Sequence, residues 1–491
     1  MHFRFERDGS LPRGAWCLRA RAGEHRIEVR HGSNVETLDS AFVTGAWTGP
    51  FAPEHFARAS VRMGTGAAID DGRLVLLPPT HVYEHIAFTR RGDELLASNS
   101  LVFLLAATGA SPRVRESRYY FRLNAVHAAP TEIQDIHFTS ATLAFLMCDR
   151  FLVGNDMSLQ RLPAAPHVAL DDYATYHHHL TTVLHDLADN ARSPLRVRPL
   201  SLNATVSSGY DSAASAALAF DAGWKDAVTF ARSADDPDDG SVVGDALGYR
   251  TLRCAASAWR ESGPFPEAEF LAASGPTPRL QLAGASEALH DSLVLNGNCG
   301  DVVWASTGAQ LRPNLTRVGA YVPSSTSTTE WALRVGAIQL PVPAIGAAQS
   351  DQIRRWVVSP DMAPWTLGND YDRPIPRRIL EERGVPRDAF GMHKRGGCYV
   401  ETPSSMTAES RADLRAWLDS VGLPISHARR RASWYASRAV VRGMKTVARG
   451  SRHTQTLSER QHLSQPSWEK GHLFHWGVVK TLPRYRSAAF D

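Results

Sequence analysis

Cysteine is scarce in this sequence, and long apolar runs are missing from it. The five cysteines are scattered along 491 residues, and no two of them form a Cys-x-x-Cys pair. This argues against a disulfide framework and against a structural zinc site. No apolar run approaches the roughly 20 residues of a membrane-spanning helix, and residues 1–8 lack the apolar core of a secretory signal. We therefore expect a cytoplasmic protein without a membrane span.

Net charge is also low, at +4, and it is unevenly placed. Residues 425–453 carry eight arginines and lysines and no acid, so the rest of the chain is mildly acidic. An acidic body argues against a nucleic-acid-binding surface built on bulk charge. Five of the basic residues are spaced for one helical face: Arg438, Arg442, Lys445, Arg449 and Arg452. We expect residues 425–491 to form a basic helical tail. Three roles are open for this tail. It packs on the body, it binds an anionic membrane surface or partner, or it binds an acidic peptide or polymeric substrate.

The remaining composition, 43% hydrophobic and 21% charged, is that of a globular protein with room for two or three domains. In residues 1–165, short apolar runs between Gly, Asp and Pro turns predict a β-rich domain. In residues 166–424, alternating strand and helix patterns predict an α/β domain with a parallel sheet. An amphipathic helix before its first strand carries His177–His179, which point in different directions and therefore do not converge on a metal.

One turn joins an alternating strand, which ends at Val206, to an alanine-rich helix that begins at Asp211. A tight turn of small residues before a helix presents unpaired N–H groups and the positive end of the helix dipole, which predicts phosphate binding. A carboxylate there needs a cation between itself and the phosphate, so the expected ligand is a magnesium polyphosphate. No Gly-Lys-Ser/Thr follows, which excludes a Walker loop.

In residues 292–301, a second buried strand also ends in a glycine-bearing turn that carries one carboxylate, Asp301. Between the two turns, the sequence predicts a strand at Val228–Arg232, an acidic loop at Asp235–Asp239, a helix, and a strand near Tyr249–Cys254. The order of elements is that of a parallel α/β domain, whose ligands bind at the carboxyl ends of the strands.

Three stretches, in this order, resemble the asparagine synthetase family of PP-loop ATP pyrophosphatases, which cleave ATP to AMP and pyrophosphate. Residues 206–212 are similar to the Ser-Gly-Gly-x-Asp-Ser loop, with Ser208 in place of the first glycine. Residues 292–301 are similar to the strand and its Ser-Gly-Glu-Gly-x-Asp-Glu turn, with Asn298 at the first glutamate and Val302 at the last. Residues 371–396 resemble the region of the catalytic lysine.

The resemblance implies a synthetase domain of the adenine-nucleotide-hydrolase type, with ATP and Mg²⁺ as ligands. It implies Asp211 and Asp301 as metal ligands and Lys394 as the catalytic lysine that stabilises charge on the phosphates and on the tetrahedral intermediate. The implied nucleotide- and pyrophosphate-binding residues are Val206, Ser207, Ser208, Gly209, Asp211, Ser212, Asn296 and Gly297.

Residues 71–105 weakly resemble the glutaminase domain that precedes the synthetase domain in that family, where the nucleophile is a cysteine at the mature N-terminus. Here position 2 is His2 and the nearest cysteine is Cys17. We therefore expect a degenerate, glutaminase-like domain in residues 1–165 that serves as a scaffold.

The expected function is an AMP-forming C–N ligase that adenylates a carboxylate and joins it to ammonia or an amine, without hydrolysing glutamine. A lasso-type macrolactam cyclase, a β-lactam synthetase and a non-catalytic nucleotide-binding member remain alternatives. The last is favoured by the departures at Ser208, Asn298 and Val302. A tRNA-modifying enzyme is disfavoured by the absent cysteine pair and the acidic body. The sequence does not identify the acid or the amine, and it leaves a homodimer open.

Overall fold

The computed structural model describes residues 1–116, 119–162, 168–236, 238–273, 279–306, 310–312, 315, 317–318, 328–369, 371–392, 405–423, 468–488 and 490. The predicted catalytic Lys394 and the basic residues 438–452 lie outside the described residues. Within them, the chain is a mixed α/β protein with a parallel sheet and largely antiparallel sheets, which confirms the predicted fold class at this coarse level.

The described part of residues 2–162 forms two sheets that pack face to face. Their strands are β1 (His2–Arg7), β2 (Trp16–Arg21), β3 (Arg26–His31), β4 (Glu36–Leu38), β5 (Ala41–Trp47), β6 (Arg62–Asp70), β7 (Arg73–Leu77), β8 (Ile86–Arg91), β9 (Glu94–Ser98), β10 (Ile136–His137), β11 (Thr142–Leu146), β12 (Arg150–Val153) and β13 (Leu159–Leu162). The first sheet has the order β1-β3-β2-β9-β8-β11-β10, and the second has the order β13-β12-β7-β6-β5-β4. Strands β1 and β3 are parallel, whereas the other paired strands are antiparallel.

Alternating apolar side chains fill the space between these two sheets. Trp16 and Leu18 of β2 and Phe42 of β5 are fully buried there, and the Trp16 and Phe42 rings meet edge to face at 5.0 Å. Because successive strand residues face opposite sides, each strand can bury one face in this core and the other under a helix. Helix α1 (Pro53–Arg58) packs on β5 and β6, and α2 (Leu101–Thr108) packs on β2, β8 and β9.

The remaining helices span residues 119 to 481 of the described chain. They are α3 (Tyr119–Ala128), α4 (Tyr173–Ala191), α5 (Tyr210–Ala219), α6 (Ser241–Leu247), α7 (Ala268–Ala272), α8 (Gly300–Val303), α9 (Thr329–Val335), α10 (Ser350–Val357), α11 (Pro374–Glu382), α12 (Ala408–Ser420) and α13 (Trp468–Thr481). Helix α4 is the predicted amphipathic helix, and the side chain of its N-cap Asp172 accepts a hydrogen bond from the Thr175 N–H at 2.8 Å. None of the helices within the described ranges is long and apolar enough to cross a membrane.

The second half of the chain is built on a parallel sheet. Its strands are β14 (Ser201–Thr205), β15 (Asp226–Ala231), β16 (Arg250–Ala255), β17 (Ser292–Asn296) and β20 (Ile338–Pro341), while β18 (Gln310–Leu311) and β19 (Arg317–Val318) form a separate ribbon. The order is β16-β15-β14-β17-β20, and all its pairs are parallel. The chain winds outward from β14 through β15 to β16 and then returns to β17 on the other side. The loops after β14 and β17 therefore diverge, which leaves a crevice at their carboxyl ends.

Contacts from residues 1–116 hold the side of this sheet that contains β17 and β20. Arg13 forms an ion pair with Asp291, immediately before β17, at 2.5 Å. The backbone N–H of Gln339 in β20 donates to the Glu84 carboxylate at 3.4 Å. The first half of the chain therefore helps to position the strands that carry the crevice.

The end of the chain packs on the body. Helix α13 lies against α7 and α3, and the 3-10 helix Leu482–Ala488 lies against α2. The buried Glu330 of α9 accepts a hydrogen bond from Tyr485 Oη and another from Ser100 Oγ, each at 2.6 Å. Residues 468–488 are therefore helical and packed on the body.

Candidate functional site

A cavity of about 240 Å³ lies at the carboxyl ends of the parallel strands. Residues that follow β14, β15, β16 and β17 line it, and so does Gln339 of β20. Seven of the residues implied by the family resemblance are on its wall: Val206, Ser207, Gly209, Asp211, Ser212, Asn296 and Gly297. The two sequence motifs that carry those residues are therefore parts of one polar cavity.

The turn after β14 leads directly into the N-terminus of α5. Gly209 is the N-cap, with φ −74° and ψ 165°, and a glycine offers no side chain to cap the first-turn amides. The Ser207 and Ser212 hydroxyls are hydrogen-bonded at 2.7 Å, and the Gly209 N–H donates to Ser207 Oγ at 3.2 Å. In the described part of the chain, no capping side chain accepts a hydrogen bond from the N–H groups in the first turn of α5. These N–H groups and the positive end of the helix dipole favour an anionic ligand at this point.

The turn after β17 comes into direct contact with the start of α5. A Cβ atom on Gly297 would lie 2.3 Å from the Asp211 carbonyl carbon and from the Ser212 nitrogen. A Cβ atom on Gly300 would lie 2.3 Å from Cγ of Asp211. Only glycine permits this approach. Asp211 in the first turn and Asn296 at the start of the second are 85 positions apart in the sequence. The two glycine turns nevertheless meet around the Asp211 carboxylate.

Cys299 in this second turn has a left-handed backbone, with φ +75°. Such a conformation is uncommon for a residue with a Cβ atom and is found at turns and functional sites. Tyr83, from the first half of the chain, donates a hydrogen bond to Cys299 Sγ at 3.0 Å and so stabilises the turn. Burial raises the pKa of Tyr83, and the neighbouring Cys299 raises it further, so this phenol stays a donor.

The two predicted metal ligands occupy different positions relative to the cavity. Asp211 lines it, whereas Asp301, half-buried in the first turn of α8, is not among its lining residues. The described residues contain no group of three or more His, Cys, Asp and Glu side chains arranged to hold a metal. Asp238 does line the cavity with Asp211, and Ser208 Oγ lies 3.5 Å from its Oδ1. An oxygen donor set of this kind suits Mg²⁺ bound jointly by carboxylates and phosphate oxygens.

The acidic loop that carries Asp238 is folded tightly over the turn after β14. The buried Asp236 carboxylate accepts hydrogen bonds from the N–H groups of Arg232, at 2.7 Å, and Asp238, at 3.1 Å. A Cβ atom on Gly240 would lie 2.6 Å from the carbonyl carbon of Val206. The sequence revealed this loop by its acidic run but did not identify Asp238 as a cavity residue.

Residues 371–392 wrap around the start of α5. The Gly391 N–H donates to the Ser208 carbonyl at 2.7 Å, and Arg377 donates to Tyr210 Oη at 2.8 Å. Tyr371 lines the cavity, and its pKa is raised to about 12 by burial and by the negative charge of Asp211. The described part of the third sequence match therefore contacts the first turn, and Lys394, which follows Met392 by two residues, lies outside the described residues.

Other cavity residues have no motif that would have revealed them. Arg279 comes just before a 3-10 helix, Thr328 comes just before α9, and Gln339 lies within β20. Each is more than 65 residues from the turn after β14. Only the folding of the sheet brings them to the same cavity.

The fold and the site together define a class, an α/β protein with a polar cavity at the point where the strand order of its parallel sheet reverses. Open α/β sheets bind ligands at this point. No protein-family model matches the chain, and no curated protein matches it.

Proposed function

We propose that this chain is an ATP- and Mg²⁺-dependent, AMP-forming C–N ligase related to the asparagine synthetase-like PP-loop enzymes. The observation that carries the proposal is the meeting of the two glycine turns around Asp211 at the start of α5. Two ordered motifs of one family were expected to end neighbouring parallel strands, and β14 and β17 are such neighbours. If either motif resembled the family only by chance, there would be no reason for the two turns to touch.

In this proposal, the parts of Mg-ATP are assigned to the cavity in an order that follows the strands. Phe230 at the end of β15 and Ala256 after β16 offer apolar contact for the base, and the Ser207–Ser212 turn offers hydroxyls and amides for the phosphates. Asp211, with Asp238 or the predicted Asp301, would hold Mg²⁺, which neutralises charge on the departing pyrophosphate.

The proposed reaction has two steps. A carboxylate oxygen attacks the α-phosphorus of ATP, the bond to the β-phosphate oxygen breaks, and pyrophosphate leaves. An amine nitrogen then attacks the acyl carbon, the bond to AMP breaks, and the nitrogen loses a proton. Lys394 is proposed to stabilise the negative charge that develops in these steps. Ammonia, a small amine and an amine within the acid itself, as in a macrolactam, all fit this scheme.

Residues 1–165 are proposed to be the degenerate, glutaminase-like scaffold. A thiol or hydroxyl nucleophile is needed for amide hydrolysis, and the residue at position 2 is His2. The proposed role is structural and is supported by the contacts of Arg13 with Asp291 and of Glu84 with Gln339. Glutamine is accordingly not expected to serve as the nitrogen donor.

A competing proposal is a member of the family that binds the nucleotide without catalysis. It is favoured by Val302, an apolar residue that is 1% exposed and stands where the family carries an acid. Asn298, at the position of another family acid, carries no charge and accepts a hydrogen bond from Arg279.

The decisive experiment is to incubate the full chain with ATP, Mg²⁺ and pools of carboxylic acids and amines, while following AMP and pyrophosphate. The ligase proposal expects acid-dependent release of both in equal amounts, and Asp211→Asn should reduce it about 10²–10³-fold. Asp226→Asn is the matched control. Asp226 starts β15, at the amino ends of the strands and away from the cavity at their carboxyl ends, and it is paired with Arg250. Mg-ATP binding without release of AMP supports the non-catalytic proposal, and a failure to bind Mg-ATP contradicts both.

A further inference from the structure

A chain of side-chain amides crosses the cavity wall between β17 and β20. The Asn298 backbone N–H donates to Asn296 Oδ1 at 3.1 Å, and because a backbone N–H can only donate, it fixes the orientation of the Asn296 amide. Asn296 Nδ2 in turn donates to Gln339 Oε1 at 3.1 Å. The orientation of Gln339 is therefore set, and its NH₂ group is left as a donor.

That donor has no protein acceptor. Gln339 is 3% exposed and lines the cavity, and its Nε2 atom has no hydrogen-bond partner among the described residues. Thr328 is 1% exposed and lines the same cavity, and within the described chain its hydroxyl also lacks a partner. Because buried polar groups are almost always hydrogen-bonded, two such groups that line one cavity indicate a polar ligand.

Arg279 adds a positive charge to this part of the wall. Its Nη2 donates to Asn298 Oδ1 at 2.8 Å, while its buried Nε has no partner in the part of the chain that the structure describes. No ion pair joins Arg279 to a carboxylate within the same residues. The hydrogen-bond partner of this guanidinium is an uncharged amide, and its Nε–H has no acceptor among the described residues. Its positive charge and its Nε–H are therefore available to bind an anion.

We propose that Arg279, Gln339 and Thr328 form the binding subsite for the carboxylate of the acid substrate. This rests on the proposed ligase function, because the ligase needs an acid beside the phosphates of ATP. Strand order separates the two ligands: β15 and β16 lie on one side of β14, whereas β20 lies two strands away on the other, about 10 Å from it. The base and the phosphates are assigned to the first side and to α5. Gln339 of β20 and Arg279, which contacts Asn298 in the turn after β17, are therefore available for the acid.

The same donors could in principle take a phosphate oxygen of ATP, so the experiment separates the two anions. Calorimetric titration of the full chain uses Mg-ATP in one arm. In the other arm it uses succinate, hexanoate, phenylacetate and glycine, each beside the compound in which a neutral primary amide group replaces the carboxylate. At least one acid should bind more tightly than its amide. Arg279→Gln should weaken that acid about 10- to 100-fold and leave the affinity for Mg-ATP within about threefold.

Thr328→Val provides a second variant whose folding is not in question. The hydroxyl has no partner in the described chain, so an isosteric methyl should leave the stability of the protein unchanged or raised, while acid binding weakens about two- to tenfold. Arg250→Gln is the matched control, because it removes a charge at the opposite edge of the sheet and should change neither arm.

The outcomes distinguish this subsite from the proposed function. If Arg279→Gln weakens Mg-ATP and spares the acids, Arg279 is a phosphate ligand and the inference is overturned. If no acid binds better than its amide, the inference is overturned as well. If an acid binds in an Arg279-dependent way and Mg-ATP does not bind at all, the subsite stands and the ligase proposal fails.

Discussion

Replacing Gly297 with alanine tests the contact on which the site depends. The added Cβ atom would lie 2.3 Å from two backbone atoms, the Asp211 carbonyl carbon and the Ser212 nitrogen. Neither can rotate away, as the end of a side chain can. To reach ordinary van der Waals contact, the turn after β17 and the start of α5 must separate by about 1 Å.

Two magnitudes follow from that separation. Overpacking of this kind costs about 1–3 kcal/mol in the free energy of unfolding. A displacement of 1 Å between groups that act together costs about 10²-fold in activity, so Gly297→Ala should lose Mg-ATP turnover as well as stability. In Gly300→Ala the added atom would lie 2.3 Å from Cγ and 2.6 Å from Cβ of Asp211. The carboxylate can rotate but the Cβ atom cannot, so this variant should also lose stability, and displacement of the carboxylate should impair the response to Mg²⁺.

Urea denaturation measures the loss of stability, and the rate of AMP release from Mg-ATP measures the loss of turnover. Gly9→Ala is the matched control. No atom lies within 4 Å of a Cβ built on Gly9, so that variant should match the parent in both assays. Suppose that Gly297→Ala retains the parent's unfolding free energy and its rate of AMP release from Mg-ATP. The two turns would then not be in contact, and the proposed site would lose its main support.

Three further predictions concern other parts of the molecule. Lys394→Met should bind Mg-ATP normally yet lose about 10²–10³-fold in the rate of AMP formation, and arginine should rescue it poorly; turnover close to that of the parent would refute the lysine assignment. Burial raises the pKa of Glu84 from 4.5 to about 7. Between these pH values the folded protein keeps a proton that the unfolded chain releases, so Glu84 lowers the free energy of unfolding increasingly as the pH rises through this range. Glu84→Gln should therefore raise the unfolding free energy at pH 8 relative to pH 5, and an equal effect at both pH values would contradict this. Burial lowers the pKa of His472 from 6.5 to about 4, and burial beside His472 lowers that of His475 to about 3. Stability from this pair is then present above pH 6.5 and is lost as the pH falls towards 4. His475→Phe should flatten that fall in urea denaturation, and an unchanged slope would count against it.

Local patterns predicted the elements around the cavity to within a residue or two. The strand expected to end at Val206 is β14, which ends at Thr205, and the helix expected from Asp211 is α5, which begins at Tyr210. The strand expected at Val228–Arg232 is β15. These predictions succeeded because side-chain alternation, small-residue turns and helix starts depend on neighbours in the sequence. The proposed ATP chemistry, by contrast, still depends on the experiments above.

The coarse class of the fold and the two glycine turns were predictable from the sequence, because each depends on a short contiguous stretch. Which side chains share the cavity with those turns depends on the tertiary fold. Asp238, Arg279, Thr328 and Gln339 arrive from separate loops and strands, and no spacing along the chain relates them. Their meeting depends on the strand order β16-β15-β14-β17-β20, since sheet order follows from burial and chain winding over the whole domain and not from any local pattern.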